Sequence, residues 1–251
     1  MTGWPEGVGR RLLDETDSTN AEAARLAASG HRQPTWILAR QQSTPRGRQG
    51  RSWAMPPGNF AATFVDFPDY DVHGAGLRSF VASLALFDVL GHLAPHADVT
   101  LKWPNDVLLE GGKVAGILLE STSNGRNLQW LAIGIGVNLA STPDPASIQP
   151  GTAAPISVAD ARGHVISPEA FLDRLANAFA QWDTVLRHRG FEPVRAAWVA
   201  RAARLGETIE ARLPGRSVTG VFDDVDATGA LVLRTPTGRE EISAADVYFP
   251  G

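Results

Sequence analysis

One stretch constrains the fold more than any other: VTLKWPNDVLLEGGKVAGILLES, residues 99–121. Val107–Leu109 and Val114–Leu119 are short apolar runs on either side of an EGGK turn, whose glycines suit a tight hairpin. A hairpin pairs its strands antiparallel, yet the segments around it alternate between strand and helix patterns. RRLLDET, TWILAR, FAATFVDF and LQWLAIGIGVNL read as strands. DSTNAEAARLAASG reads as a helix, in which Thr19 and Glu22 fit a capping box and Gly30 a C-terminal stop. LRSFVASLALFDVLGHL carries apolar residues at helical spacing and is too long for a typical strand. SPEAFLDRLANAFAQWDTVLRHRG is an amphipathic helix entered through Ser167 and Pro168, and PVRAAWVARAARL is a further helix. STPDPASIQPGTAAP, rich in proline, is a loop. Hairpins interleaved with helices predict an α+β fold with a mixed β-sheet packed against helices. After Gly206 the pattern changes to short alternating segments divided by Gly, Pro and Asp, which reads as a small β-barrel. The predicted domains are therefore 1–204 and 205–251.

Charge and composition narrow the chemistry. The 251 residues carry a formal net charge of −4, which argues against wholesale nucleic-acid or membrane-surface binding, so any anion site must be local. There are no cysteines, which excludes disulfides, Cys-ligated zinc and thiol nucleophiles. The N-terminal residues lack an apolar core of signal-peptide length, and no uninterrupted apolar run reaches the length of a membrane span. A soluble, cytoplasmic protein is expected.

The positive charge is concentrated in STPRGRQGRSW, residues 43–53, where Arg46, Arg48 and Arg51 alternate with Gly47 and Gly50 and end on Trp53. Glycines let backbone N–H groups turn toward an anion, and arginines add permanently charged donors. Trp53 offers a face for an adenine ring or a cation. A solvated basic loop and an RNA-binding Arg/Gly tract satisfy the same residue types. Few apolar side chains in residues 43–58 leave little to hold this segment without a ligand. In LKWPND, Lys102 at a strand end can reach into a cleft, while Asn105 and Asp106 are common turn residues. Lys113 falls in the hairpin turn, where a surface lysine is ordinary. In-strand Gly116 marks close backbone approach of a ligand or a bulge, and Gly134 and Gly136 mark packing against another backbone or room for a flat ligand. The six histidines show no ligand spacing.

Taken in order, ETDSTN, QQSTPRGRQGRSW, LKWPNDVLLEGGKVAGILLES and IGIGVNL resemble the biotin–protein ligase family, from about Arg11 to the C-terminal barrel. GVFDDVDATGALVLRT resembles that family's SH3-like C-terminal domain. The resemblance implies activation of biotin with Mg-ATP to biotinyl-5′-adenylate and pyrophosphate, then transfer to one lysine of a biotin carboxyl carrier domain. It implies Ser18, Thr19, Asn20, Gln42, Gly116 and Ile117 around biotin. It places Arg46 and Arg48 on the loop over biotin and adenylate, and Lys102 at the reacting carboxylate and α-phosphate. Those three are the implied catalytic residues. Arg51, Trp53, Asn105 and Asn138 fall with Arg48 and Lys102 on the nucleotide side. Mg2+ is expected with ATP rather than in a protein cage, and a homodimer is compatible.

Three departures stand out. Pro45 replaces the glycine usual before the first loop arginine, Gln49 replaces the usual third arginine, and ADVYFPG offers no match for the family's C-terminal arginine near the adenylate. Pro45 and the missing C-terminal arginine keep a non-enzymatic biotin- or nucleotide-binding regulator open as an alternative. A lipoate- or octanoyl-transferring enzyme of the same fold class is a second; the octanoyl transferases need a cysteine that this chain lacks, and the lipoate ligases' glycine run is not found. Only about ten residues precede the first strand, so a DNA-binding helix-turn-helix is not expected, and neither is specific DNA binding.

Overall fold

A computed structural model describes residues 3–51, 53–68, 70, 72–125, 127–144 and 153–249. Most of the proline-rich loop expected at residues 141–155 lies outside the described residues. The first strand, β1 (Gly9–Thr16), is followed by helix α1 (Thr19–Ala28) and strand β2 (Thr35–Gln42). A helical crossover returns the chain in the same direction, so β1 and β2 pair in parallel. Every other pairing in this sheet is antiparallel: β3 (Phe60–Asp66), β4 (Val99–Lys102), β5 (Asp106–Leu109), β6 (Gly112–Asn124) and β7 (Asn127–Val137) complete the order β1-β2-β3-β7-β6-β5-β4. The mixed sheet expected from the sequence is the one present.

Alternation along the strands sends side chains to two different partners. Trp36, Leu38, Phe60 and Phe64 belong to the main core, built with the short helix α2 (Val72–Gly76), α3 (Arg78–Leu93), α4 (Pro168–Arg189) and α5 (Phe191–Val199). Ile37, Val65 and Ala132 face the other way and meet Ala23 of α1. α4 starts as its sequence predicts, with Ser167 Oγ accepting from the Ala170 N–H at 3.2 Å. The segment Gly74–Leu93 is long and apolar enough on average to cross a membrane, although Arg78, Asp88 and His92 interrupt it, and 67% of its most apolar window is buried within the fold. Its apolar residues are core residues on several faces of α3.

The C-terminal strands β8 (Thr208–Leu213), β9 (Arg216–Val225), β10 (Leu231–Thr235), β11 (Gly238–Ile242) and β12 (Asp246–Tyr248) form a five-stranded antiparallel sheet in the order β11-β10-β9-β8-β12. It is tied to the main body: Trp103 Nε1 donates to Gly229 O at 3.0 Å, and Arg195 donates to Asp224 at 2.8 Å and Val225 O at 2.9 Å.

Three local expectations change. Thr19 is the first residue of α1 rather than its cap; Ser18 is the N-cap and makes no side-chain cap bond. The free N–H of Thr19 is instead satisfied from outside the helix, by Gln42 Oε1 at 2.8 Å, and Glu22 pairs with Arg11 and Arg25. The hairpin turn is only Glu110–Gly111, with φ of 49° and 76°, so Lys113 lies on β6 and not in the turn. α5 begins at Phe191, two residues before Pro193, because proline is tolerated in the first turn.

The aromatic cluster under β2 and β3 holds α4 in place: the Phe179 ring lies 5.6 Å from Trp36 and 5.1 Å from Phe64. Phe179→Ala should destabilise the fold by about 3–5 kcal/mol, measured by denaturant unfolding. A loss below about 1 kcal/mol would mean the cavity collapses without consequence.

Candidate active site

Where α1 stops covering the sheet, its face continues over small residues. Gly134 and Gly136 follow Ala132 at two-residue spacing on β7, and Gly116 of β6 pairs with Gly136. A Cβ on Gly136 would lie 2.6 Å from the Trp53 ring, and one on Gly116 would lie 3.2 Å from it. A Cβ on Gly134 would collide with the Asn20 amide. Each of these three glycines also lines the adjacent cleft. The space is taken by two side chains of this same chain, Asn20 and Trp53.

A cleft of about 220 Å³ opens beside them. Every site residue singled out from the sequence lines it: Ser18, Thr19 and Asn20 from the start of α1, Gln42 from the end of β2, and Arg46, Arg48, Arg51 and Trp53 from the loop. Lys102 comes from the end of β4, Asn105 from the β4–β5 turn, Gly116 and Ile117 from β6, and Asn138 from just beyond β7.

One end of the cleft is a hydrogen-bonding array of uncharged side chains backed by the Glu120 carboxylate. Gln42 Oε1 accepts from the Thr19 backbone at 2.8 Å and lies 3.2 Å from its hydroxyl. Buried Thr63 lies 2.8 Å from Thr19 Oγ1 and 2.6 Å from Asn20 Oδ1, and Asn20 Nδ2 donates to Glu120 at 2.7 Å. These donors and acceptors fix one another, which suits recognition of a polar, uncharged ring.

The other end is charged. β4 and β5 are joined by Trp103–Asn105, with a cis Trp103–Pro104 bond. Three contacts pin this turn: Ser79 Oγ to Pro104 O at 3.1 Å, Asn105 Nδ2 to Ile117 O at 2.7 Å, and Trp103 to Gly229. Lys102 precedes it, is only 8% exposed and has no hydrogen-bond partner among the described residues. Its ammonium lies 5.1 Å from the Phe249 ring. Burial lowers its pKa from the usual lysine value, and nearby Lys113 and Arg51 push the same way against Asp106 and Asp246. Arg48 donates to Asn105 Oδ1 at 3.1 Å; burial lowers its pKa too, opposed by Asp246 and Asp106.

The arginine loop is better held than its composition suggests. Ser43 and Thr44 N–H groups donate to Thr16 O and Asp17 O, both at 2.9 Å, and Trp53 N donates to Pro45 O at 3.2 Å. Gln49 takes φ of 56° and Gly50 takes 72°, a tight reversal between Arg48 and Arg51. Arg51 is ion-paired with Asp246, while Arg46 has Glu120 at 3.8 Å. Asn138 is buried, and its amide donates to Lys113 O at 3.4 Å and Ile156 O at 3.2 Å, so it braces the cleft wall as well as lining it.

Sequence reasoning missed three contributors. Lys113, assigned to a turn, lies 2.6 Å from Asp106 and 5.6 Å from the Trp53 ring. Recognising a two-residue turn would have placed it on the strand. Asp246 and Tyr248 reach the cleft from β12, and nothing local in ADVYFPG signals that.

Residues 10–138 match the biotin/lipoate A/B protein ligase family, and residues 205–249 match the biotin protein ligase C-terminal domain. The chain belongs to the biotin/lipoate A/B protein ligase family. It is 54% identical over 241 residues to the biotin–[acetyl-CoA-carboxylase] ligase of Paracoccus denitrificans, covering 96% of this chain and 100% of the relative. The ligase of the same name from Mycobacterium tuberculosis is 33% identical, over 96% of this chain and 90% of its own. In fold, the chain matches biotin protein ligase from Aquifex aeolicus, solved in complex with biotin and ATP. The TM-score is 0.79 at 23% identity, covering 95% of this chain and 97% of that one.

The Gly136–Trp53 contact gives a steric test. Gly136→Ala should displace the indole and destabilise the fold by about 1–3 kcal/mol, typical of overpacking and measured by denaturant unfolding. In a Trp53→Ala background the same change should cost almost nothing, because the clashing ring is gone. Additive losses in the double variant would show that the methyl acts elsewhere.

Proposed function

We propose that this chain is an ATP-dependent biotin–protein ligase that activates biotin as biotinyl-5′-adenylate and passes it to a lysine of a biotin carboxyl carrier domain. One observation carries this reading: a single cleft joins a hydrogen-bonding array of uncharged side chains, backed by Glu120, to a cluster of cations that includes buried Lys102. An uncharged bicyclic ring with a carboxylate tail needs the first; a triphosphate needs the second. The division into residues 1–204 and 205–251 belongs to the same reading, with the second unit supplying Asp246 and Tyr248 to the cleft.

In the first step a biotin carboxylate oxygen attacks the α-phosphorus, and the bond to the pyrophosphate oxygen breaks. Two anions must meet, so the barrier is largely electrostatic. Lys102, Arg48 and Arg46 flank that meeting point, and Arg48 is oriented by Asn105. Ser18, Thr19, Asn20 and Gln42 hold the ureido ring, with Gly116 and Ile117 along the biotin wall. Arg51, Trp53, Asn105 and Asn138 serve the nucleotide side. Mg2+ arrives as the counter-ion of ATP; among the described residues no group of three or more His, Cys, Asp or Glu side chains forms a resident cage. In the second step the carrier amine attacks the mixed anhydride carbonyl, AMP leaves, and an amide forms.

Biotin-dependent ATP–pyrophosphate exchange tests the first step, and the mass of a carrier domain after incubation tests the second. Lys102→Gln keeps most of the stem and removes the charge. Exchange should fall by roughly 10²–10³. Melting temperature should hold, since a buried charge with no hydrogen-bond partner is itself a cost to folding. Near wild-type exchange in folded Lys102→Gln protein would remove this lysine from the mechanism.

A further inference from the structure

Five cations, Arg46, Arg48, Arg51, Lys102 and Lys113, line one small cleft. Close cations repel, more strongly where water is thin, and the chain supplies its own counter-ions. Lys113 has Asp106 at 2.6 Å, Arg46 has Glu120 at 3.8 Å, and Arg51 is ion-paired with Asp246, whose other oxygen lies 4.0 Å from Arg48. Asp246 differs from the other two. Asp106 and Glu120 belong to the main sheet, but Asp246 begins β12, at the edge of the C-terminal sheet. Arg51 lies on a loop 195 residues earlier in the chain. Both side chains are largely shielded, with 30% of Arg51 and 18% of Asp246 exposed.

A carboxylate set between Arg51 and Arg48 has the charge, and its oxygens the hydrogen-bond character, of a phosphate. We propose that Asp246 is an internal stand-in for a nucleotide phosphate, holding the loop arginines in place until the triphosphate displaces it. This rests on the nucleotide site proposed above. Two consequences follow. ATP must break an existing ion pair, so Asp246 weakens nucleotide binding. After the pyrophosphate bond breaks, Asp246 competes for the arginines again and promotes release of pyrophosphate. The C-terminal sheet thereby reads whether the phosphate site is filled. Asp246 is a positioning residue, since it acts through Arg51 and Arg48.

A merely structural ion pair makes the opposite prediction. If Asp246 only braces the loop, its loss loosens the arginines and weakens ATP binding. In the full chain, Asp246→Asn should bind MgATP about fivefold more tightly, with inhibition by inorganic pyrophosphate tightening in parallel. The KM for ATP and kcat should both fall, because product is retained. The gain should shrink as salt rises. Asp246→Glu, which keeps the carboxylate, should return ATP and pyrophosphate affinity to the wild-type range. In an Arg51→Gln background Asp246→Asn should lose most of its effect, and this pair of variants carries the test if Asp246→Asn alone folds poorly. Unchanged or weaker ATP and pyrophosphate binding in folded Asp246→Asn protein overturns the proposal. Absence of biotin-dependent exchange in the wild-type chain instead overturns the ligase reading, and this inference with it.

Discussion

Three glycines leave a bare patch on the sheet, and the cleft is built on that patch. Gly116, Gly134 and Gly136 share one face of β6 and β7, where the neighbouring Ala132 already packs against α1. Without side chains there, the Asn20 amide and the Trp53 indole descend to the backbone. Each brings a different chemistry. Asn20 carries the hydrogen-bonding network that includes Thr63, Thr19 and Gln42. Trp53 anchors the end of the arginine loop against the sheet, with Arg48 and Arg51 largely shielded and Arg46 half exposed. A methyl group on Gly134 or Gly136 would displace one partner or the other, while one on Gly116 would only crowd the Trp53 ring.

The electrostatics follow from the same closeness. The sheet strands, the loop and β12 crowd like charges together, and each of four cations has a carboxylate within 4.0 Å. Lys102 alone lacks one at that range among the described residues, although it is the most enclosed. Its remaining stabilisation comes from the Phe249 ring and from Asp106 and Asp246 at longer range. A charge left without a partner in a buried position weakens the fold and strengthens the site, because any incoming anion finds an unsatisfied cation.

Much of this was legible along the chain. The hairpin within residues 99–121 forced antiparallel pairing, and the mixed sheet followed from it. LKWPND and the Arg/Gly run marked the two loops that face each other across the cleft. Three things were not legible. The helix cap at Thr19 comes from Gln42, on the next strand, so a capping pattern within the helix pointed to the wrong residues. Lys113 moved from turn to cleft wall because Glu110, a residue other than glycine, takes a positive φ and shortens the turn to two residues. Asp246 meets Arg51 only through packing of the second sheet, and no local pattern encodes contact across 195 residues.

In the proposed mechanism Lys102 also ties stability to activity, with opposite signs. Burial lowers its pKa in the folded chain, so the unfolded chain holds that proton more tightly. Below the folded pKa both states are charged, and the fold bears the whole penalty of burying the ammonium. As pH rises through the folded pKa the native lysine loses its proton first, and from there to the unfolded pKa the penalty is progressively relieved. In the proposed reaction, the same deprotonation removes the cation that would neutralise a carboxylate approaching a phosphate. Over that window, Lys102 makes the fold more stable and the cleft less able to bring two anions together. Tight anion binding shifts the balance back, since a bound phosphate raises the lysine pKa by supplying the partner it lacks. Substrate, rather than the fold, is then what stabilises the charged form of Lys102.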